Sequence, residues 1–588
     1  MTTSKNFLPV TAEEISALGW DRPDIILVSG DTYLDSPYNG TAIIGRLLQD
    51  EGYRVAIIAQ PDMNTADIAR LGEPKLFWGV SAGCVDSMVA NYTASKKKRR
   101  TDDFTPGGEN DRRPDRALLA YTNLIRRHFK NTKPIVLGGI EASLRRVTHY
   151  DFWSDGLRKP ILFDAKADYL VYGMGEKTIL KLAEALKNGS DTTGIRGLCY
   201  YAKEIPAGYA ELPSHEECTE DKDVFTKMFH TFYQNNDPIT AKGLAQRVDT
   251  RYLIQNPPSQ TPSRIEMNRY YELPYTYRAH PFYAAQGPVR ALDTIRNSVT
   301  THRGCYGECS FCAIAVHQGI TIAERTEASV LKEVQRFIDA EGFNGIINDV
   351  GGPTANMFGM ECRKKKDHGR CANKRCLYPQ KCPQMPSDHR KLNSLLNSIR
   401  KTEGIKRVFV ASGIRYDIIM DDKAFGGQYL DNMVNFHVSG QMKIAPEHMK
   451  DNILGLMGKP SADVLKKFVE DFYKRNKVRQ QFLTYYLIAA HPGCTVQDME
   501  DLKKFTSKEL RINPEQVQIF TPTPSTYSSL MYYTEKNPFT GESIFVEKDP
   551  NRRKIQKDII APPEEKKPVK TVPYPFAKKK KGSNRPKG

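Results

Sequence analysis

No uncharged apolar run in this chain approaches the roughly 20 residues that a membrane-spanning helix needs. Its first residues, MTTSKNFLPVTAEEISALGW, contain no apolar core of the signal-peptide kind. Both absences predict a cytoplasmic protein with no membrane partner. With no leader in view, the eleven cysteines do not read as a disulfide framework, because a reducing compartment leaves thiols free for metals or catalysis. A general basic excess is missing too: of the net charge of +17, +10 lies in residues 551–588. A body this close to neutral is not that of a protein coated in nucleic acid.

What is present is ordinary globular composition, 39% hydrophobic and 26% charged, in 588 residues, too long for one core. Short apolar runs at 24–29 and 54–59 flank NGTAIIGRLLQDEGY, which has helical periodicity, and further runs follow at 76–83, 134–139 and 169–176. This is strand, helix, strand, and it predicts an α/β doubly wound unit over residues 1–200 with ligands at the carboxyl ends of its strands. The charged stretch 94–117 reads as a solvated surface insertion. Residues 201–290, irregular and rich in Pro, Tyr and Asn, read as a connector.

A second alternation begins at 296. Its strand candidates are 297–304, 344–352, 407–417, 436–448, 482–493 and 516–525, with helical segments between them. Six β/α units predict a partial or full barrel over 291–545, reactive at the carboxyl ends of its strands. A Cys-rich insertion occupies 360–385. From 546 to 588 repeated Pro and Lys predict a disordered basic tail, with RNA as its candidate partner.

Directly after the first barrel strand comes TTHRGCYGECSFCAIAVHQG, with Cys305, Cys309 and Cys312 as C-x3-C-x2-C. Thiolates bind zinc or iron-sulfur clusters. Zinc would need a fourth ligand, and His302 or His317 is near. A 4Fe-4S cluster on three thiolates would leave one iron open to a substrate or cofactor. Three cysteines on one loop at the catalytic end of a barrel favour the cluster, and Phe311 is placed to pack beside it.

Cys305-x3-Cys309-x-Phe311-Cys312 resembles the signature of radical S-adenosylmethionine (radical SAM) enzymes, in the strand context of that superfamily. The resemblance implies a (β/α)6 partial barrel, a 4Fe-4S cluster, S-adenosyl-L-methionine on its open iron, and a 5′-deoxyadenosyl radical. It also implies an electron donor such as flavodoxin or ferredoxin. NDVGGP is similar to the glycine motif beside the cofactor's amino group, which marks Gly351 and Gly352, with Pro353 where the family commonly has Glu. ASGIRYD and KIAPEH are similar to later strand ends that contact ribose and carboxylate, which marks Ser412, Arg415 and Glu447. SGDTYLDSPYNG, GGIEASLRR, SGIRYD, KIAPEH and FTPTPSTYSSLMYYT together resemble the YgiQ family of uncharacterised radical SAM proteins, over nearly all of the chain except the tail. The resemblance names no substrate.

Cys362, Cys371, Cys376 and Cys382 lie within twenty-one residues and form a candidate second metal site, for zinc or an auxiliary iron-sulfur cluster. The N-terminal unit resembles the cobalamin-binding fold ahead of some radical SAM barrels. Those domains carry D-x-H-x-x-G, whereas DTYLDSPYNG has Tyr33 and no His in that frame. An emptied or repurposed fold is expected, with cobalamin lacking a lower His ligand as the alternative. Asp31 and Asp35 read as caps of the following helix. His302, His317, His448 and His491 receive no catalytic role, and Cys84, Cys199, Cys218 and Cys494 read as buried thiols. A rival function is a zinc-stabilised nucleic-acid-binding protein using both cysteine groups and the tail, although no RNP, KH or zinc-finger pattern is found.

Overall fold

The computed structural model describes residues 6–372, 374–477, 480–510, 512 and 514–561. Five short runs, β1 (Ile25–Ser29), β2 (Val55–Ala59), β3 (Phe77–Ser81), β4 (Ile135–Gly138) and β5 (Tyr169–Val171), pair in parallel in the order β2-β1-β3-β4-β5. Every residue of β1 and β2 is buried, because helices cover both faces and leave no reason for alternation. Helices α1 (Gly40–Asp50) and α3 (Glu176–Asn188) cover one face and α2 (Ala117–His128) the other.

The sheet does not stop at residue 200. β6 (Leu198–Ala202) runs antiparallel to β5, and β7 (Ala210–Leu212), β8 (Leu244–Val248) and β9 (Arg251–Gln255) extend it to nine strands. The segment read as a connector from 201 therefore completes the first unit. Its strands use the open edge of β5 and bury Tyr200, Ala245 and Ile254 against one another. Beyond them Met267, Tyr270 and Tyr271 pack into the core shared with α1 and α3.

The second unit is a partial barrel. β10 (Ser298–Thr300) pairs in parallel with β12 (Asp349–Gly351), and β11 (Ile346–Ile347), the first half of that strand, pairs with β13 (Arg407–Val408). A parallel bridge from Ile414 to Ile444 leads to β14 (Gln441–Glu447), which is followed by β15 (Phe482–Ala489) and β16 (Val517–Ile519). Helices α4 (Glu327–Ile338), α5 (Arg390–Lys401), α6 (Ala462–Arg475) and α7 (Val496–Lys508) alternate with these strands. Val334, Leu395, Phe468 and Phe505 from the four helices meet in one core. This is the (β/α)6 arrangement that the spacing of apolar runs predicts.

Part of the segment expected to be disordered from residue 546 is ordered. Pro550–Ile560 forms α8, capped by Asp549, with Ile560 buried and the Gln556 amide donating to Cys494 O at 3.1 Å. Buried contacts offset the cost of ordering that turn of a basic sequence. Residues 562–588, the remainder of the expected tail, lie outside the described residues.

Candidate functional site

The three-cysteine loop leaves the barrel after β10, at the carboxyl end of the strands. Gly304 turns it at φ +80°, where a Cβ would stand 2.1 Å from Thr321 O. Cys305, Cys309 and Cys312 are all half-buried. Cys305 Sγ accepts from Gly307 N–H at 3.3 Å and lies 3.4 Å from Thr354 Oγ1. Burial raises the Cys305 thiol, and burial followed by the neighbouring Cys309 pushes Cys312 up to about 12. Crowded buried thiols of this kind give up their protons to a metal.

Among the described residues no three or more His, Cys, Asp or Glu gather closely enough to hold a single metal ion. In a 4Fe-4S cluster each thiolate takes a different iron, so three thiols facing one space need not meet at a point. Zinc does require them to meet. The two histidines that could complete a zinc site each have one ring nitrogen engaged. His302 Nδ1 lies 2.9 Å from Thr301 Oγ1, and His317 Nδ1 lies 2.9 Å from Ser143 Oγ in the first unit.

Arg415 brings charge to the loop. Its Nη1 is 3.7 Å from Cys309 Sγ, while Nε and Nη2 fork onto Asp417 at 2.8 and 2.6 Å. The backbone of Arg415 is fixed by Asn356 on both sides, N–H to Oδ1 at 2.8 Å and O from Nδ2 at 3.0 Å. Ser412 is held by Asp349, whose Oδ1 accepts from Ala411 N–H at 2.8 Å and whose Oδ2 accepts from the Ser412 hydroxyl. Gly351 packs beside Ser412, so that a Cβ added to the glycine would stand 3.3 Å from Ser412 Cβ. At Gly352 a Cβ would stand 2.7 Å from the His302 ring, so no side chain fits there.

Glu447 ends β14 at a register shift and adopts φ +69°, a left-handed conformation that a glutamate rarely takes. Burial pushes its carboxyl up to about 7, against the pull of Lys459, whose Nζ is 3.7 Å away, and of Arg415. Gly351, Gly352, Ser412, Arg415 and Glu447 thus come from three successive strand ends. Arg415 reaches the cysteine loop directly, and the two glycines and Ser412 border a cavity beside it.

The Cys-rich insertion packs on that loop. Tyr306 Oη accepts from Cys362 N–H at 3.3 Å, and Arg375 Nη1 donates to Glu308 O and Ser310 Oγ, each at 3.3 Å. Cys362, Cys376 and Cys382 join one apolar cluster with Tyr306, and Lys365 Nζ donates to Cys376 Sγ at 3.5 Å. Cys371 is half-buried and stands outside that cluster. The four thiols are not gathered tetrahedrally.

A cavity of about 470 Å³ lies between the carboxyl ends of the first sheet and those of the barrel. Leu27, Gly79, Val136 and Ile179 line it from the first unit, and Thr300, His302, Gly352 and Ser412 from the second. Arg303 ion-pairs with Glu176 across the two units. Burial lowers the His302 and His317 imidazoles to about 4. In the sequence His302 reads only as a candidate fourth zinc ligand, and Arg303 and Glu176 carry no role, since only the fold brings the three together.

Other expectations at the first sheet change. Asn39, not Asp31 or Asp35, caps α1; Asp35 pairs with Arg46, and Asp31 with Arg113 at 2.7 Å. Arg113 also meets Asp102 at 2.9 Å, so the charged stretch 94–117 folds down over the strand ends instead of standing wholly in solvent. The guanidinium neutralises two buried carboxylates there. Tyr33, in the frame where a cobalt-ligating His would stand, is buried and donates to Asp35 Oδ1 at 3.1 Å, away from the cavity lining. That frame supplies no ligand to a cobalamin. Cys199, Cys218 and Cys494 are buried, whereas Cys84 is half-buried and lines the cavity.

A family model described as Radical SAM N-terminal matches residues 7–298, and one described as a domain of unknown function, DUF3362, matches 515–564. A UPF0313 protein of Fusobacterium nucleatum is 60% identical over 94% of this chain and 98% of its own length. One of Methanocella arvoryzae is 46% identical over 94% and 92%. Among solved structures, the radical S-adenosylmethionine methyltransferase TsrM from Kitasatospora setae, with cobalamin and a 4Fe-4S cluster bound, is 14% identical with a TM-score of 0.47, covering 85% of this chain and 76% of its own. The cobalamin-dependent S-adenosylmethionine radical enzyme OxsB, with aqua-cobalamin bound, is 11% identical with a TM-score of 0.48, covering 89% and 57%. On the strength of its full-length relatives, the chain belongs to the UPF0313 family of radical SAM proteins, the YgiQ type.

Proposed function

We propose that the protein is a radical SAM enzyme, with Cys305, Cys309 and Cys312 as ligands of a 4Fe-4S cluster. The observation that carries this reading is the set of three half-buried cysteines on one loop at the carboxyl end of the first barrel strand, with the Cys305 and Cys312 thiols raised by burial. When bound and reduced, such a cluster supplies the electron that cleaves S-adenosyl-L-methionine to methionine and a 5′-deoxyadenosyl radical.

The chain's own part is to place and shield that chemistry. Gly351 and Gly352 offer backbone without side chains, Asp349 fixes Ser412 at the neighbouring strand end, and Arg415 offsets thiolate charge. Glu447, held near its midpoint at neutral pH, is suited to receive a cationic group. Cobalamin, present in the two distant structures, is not part of this reading; with no His in the frame of Tyr33, it would have to bind without a lower His ligand. A second metal close behind the loop, zinc or iron-sulfur, would be held by Cys362, Cys376 and Cys382 with Cys371 drawn in to join them. Among the described residues no helix is long and apolar enough to cross a membrane, and a cytoplasmic site with a flavodoxin or ferredoxin as reductant fits oxygen-labile chemistry.

The test is anaerobic reconstitution followed by assay for 5′-deoxyadenosine. Formation that needs dithionite and is lost in Cys309→Ala supports the reading. A colourless protein carrying zinc at the three cysteines would replace it with the zinc-stabilised nucleic-acid-binding alternative.

A further inference from the structure

The cavity has two chemically distinct ends. Toward the first sheet it is a slot between α1 and α3, floored by Leu27, Gly79 and Val136, which stand side by side on adjacent strands. The helices meet near their carboxyl ends, where Lys187 Nζ lies 5.4 Å from the centre of the Tyr53 ring, and the slot lies between their amino-terminal turns. From β1 to β5 is three strand spacings, about 14 Å, whereas packed helices sit about 8–10 Å apart. The difference, about 5 Å, leaves room for a flat ring between the helices.

Toward the barrel the lining is polar and unsatisfied. His302 Nε2, Arg303 Nη2 and Glu176 Oε2 are each buried without a hydrogen-bond partner. All three residues line the cavity and are at least nine-tenths buried. A buried orphan polar atom costs about 1–3 kcal/mol, and a set that includes a fixed donor and a fixed acceptor is matched by a ligand carrying both. The Arg303–Glu176 pair leaves no surplus charge, and the two histidines are neutral at physiological pH. Among the described residues no unpaired cationic side chain lines the cavity to hold a phosphate-rich ligand.

We propose that this cavity is the substrate site: it takes an amphipathic small molecule whose flat, uncharged aromatic end enters the slot over Gly79. The other end, bearing a hydrogen-bond donor and an acceptor, lies at Arg303, Glu176 and His302. The assignment rests on the radical SAM reading, since it puts the polar end beside Gly352 and Ser412. The first unit then serves as half of a substrate pocket, not as a cobalamin carrier.

The test uses the full-length reconstituted protein with 2-naphthylacetamide, a fluorescent flat ring with a neutral amide, as probe. Gly79→Val and Val136→Phe each narrow the slot; a Cβ at Gly79 would already stand 2.6 Å from Leu27 Cδ2. Saturable binding to the unaltered protein, weakened at least tenfold in both variants, is the expected result. Electron paramagnetic resonance of the same samples checks the cluster and its response to S-adenosyl-L-methionine independently, so failure of the pocket is distinguishable from failure of the enzyme reading. Absence of probe binding, or equal binding to all three proteins, overturns the proposal. So does stoichiometric retention of hydroxocobalamin that displaces the probe, which would give the slot to a corrinoid.

Discussion

The guanidinium of Arg415 lies with Nη1 3.7 Å from Cys309 Sγ while its other two nitrogens are held by Asp417. A cation at that distance favours whichever cluster state carries more negative charge. One unit charge at about 4 Å contributes a few kcal/mol at an effective dielectric near 20, and Asp417 offsets part of it. Arg415→Gln is expected to lower the cluster's reduction potential by roughly 60 mV or more, about tenfold in the one-electron equilibrium. Redox titration followed by electron paramagnetic resonance reads the shift, and an unchanged potential would leave Arg415 only the task of fixing the loop.

Glu447 makes the site sensitive to pH. Its carboxyl, raised by burial to about 7, is half-protonated at neutrality. If the positive charge of S-adenosyl-L-methionine comes to lie near it, the carboxyl ionises and a proton is released. Calorimetric titration in two buffers of different ionisation enthalpy should show net release near pH 7, and none in Glu447→Gln.

The same group sets a stability trend. The unfolded chain ionises Glu447 near 4.5 and the folded chain near 7, so between those values the native state binds more protons. The contribution of this group to stability is greatest below about pH 4.5, falls as pH rises to 7, and then levels off. The full fall from this group is about 3 kcal/mol. Glu447→Gln should flatten that part of the pH profile of chemical denaturation.

Gly352 faces the His302 ring so closely that a methyl group would stand 2.7 Å from it. Gly352→Ala must displace a fully buried imidazole or the strand end itself. S-adenosyl-L-methionine affinity is expected to fall at least tenfold with the iron content unchanged, because the glycine is not on the cysteine loop. Loss of iron in this variant would show that the strand end supports the cluster.

Metal analysis separates the two thiol groups. Replacing Cys305, Cys309 and Cys312 together by Ala removes the first cluster, and the metal that remains is that of Cys362, Cys371, Cys376 and Cys382. About one zinc, or a residual iron-sulfur absorbance, is expected. A metal-free protein would reduce the insertion to a brace that acts on the loop through Tyr306 and Arg375.

Much of this architecture is local and so can be read from residues in order. The apolar runs Ile25–Ser29 and Val55–Ala59 around an amphipathic helix announce a parallel sheet, and six further runs announce the barrel. The strands at 210–255 escape notice because they are short, lie in Pro- and Asn-rich surroundings and earn their place only by pairing with β6. The cysteine loop is legible since its spacing is the chemistry. The cavity is not: Gly79 matters because strand register sets it between Leu27 and Val136. Arg303 and Glu176, 127 residues apart, meet only when two units dock. Asp31 and Asp35 show the converse, since their helix-cap spacing is outweighed by buried partners Arg113 and Arg46.

The most direct measurement is electron paramagnetic resonance of the anaerobically reconstituted, dithionite-reduced protein with and without S-adenosyl-L-methionine. A 4Fe-4S signal that changes on addition of S-adenosyl-L-methionine, and is lost in Cys309→Ala, is the predicted result. A protein with no cluster signal, or with a signal indifferent to S-adenosyl-L-methionine, would contradict an open iron on Cys305, Cys309 and Cys312.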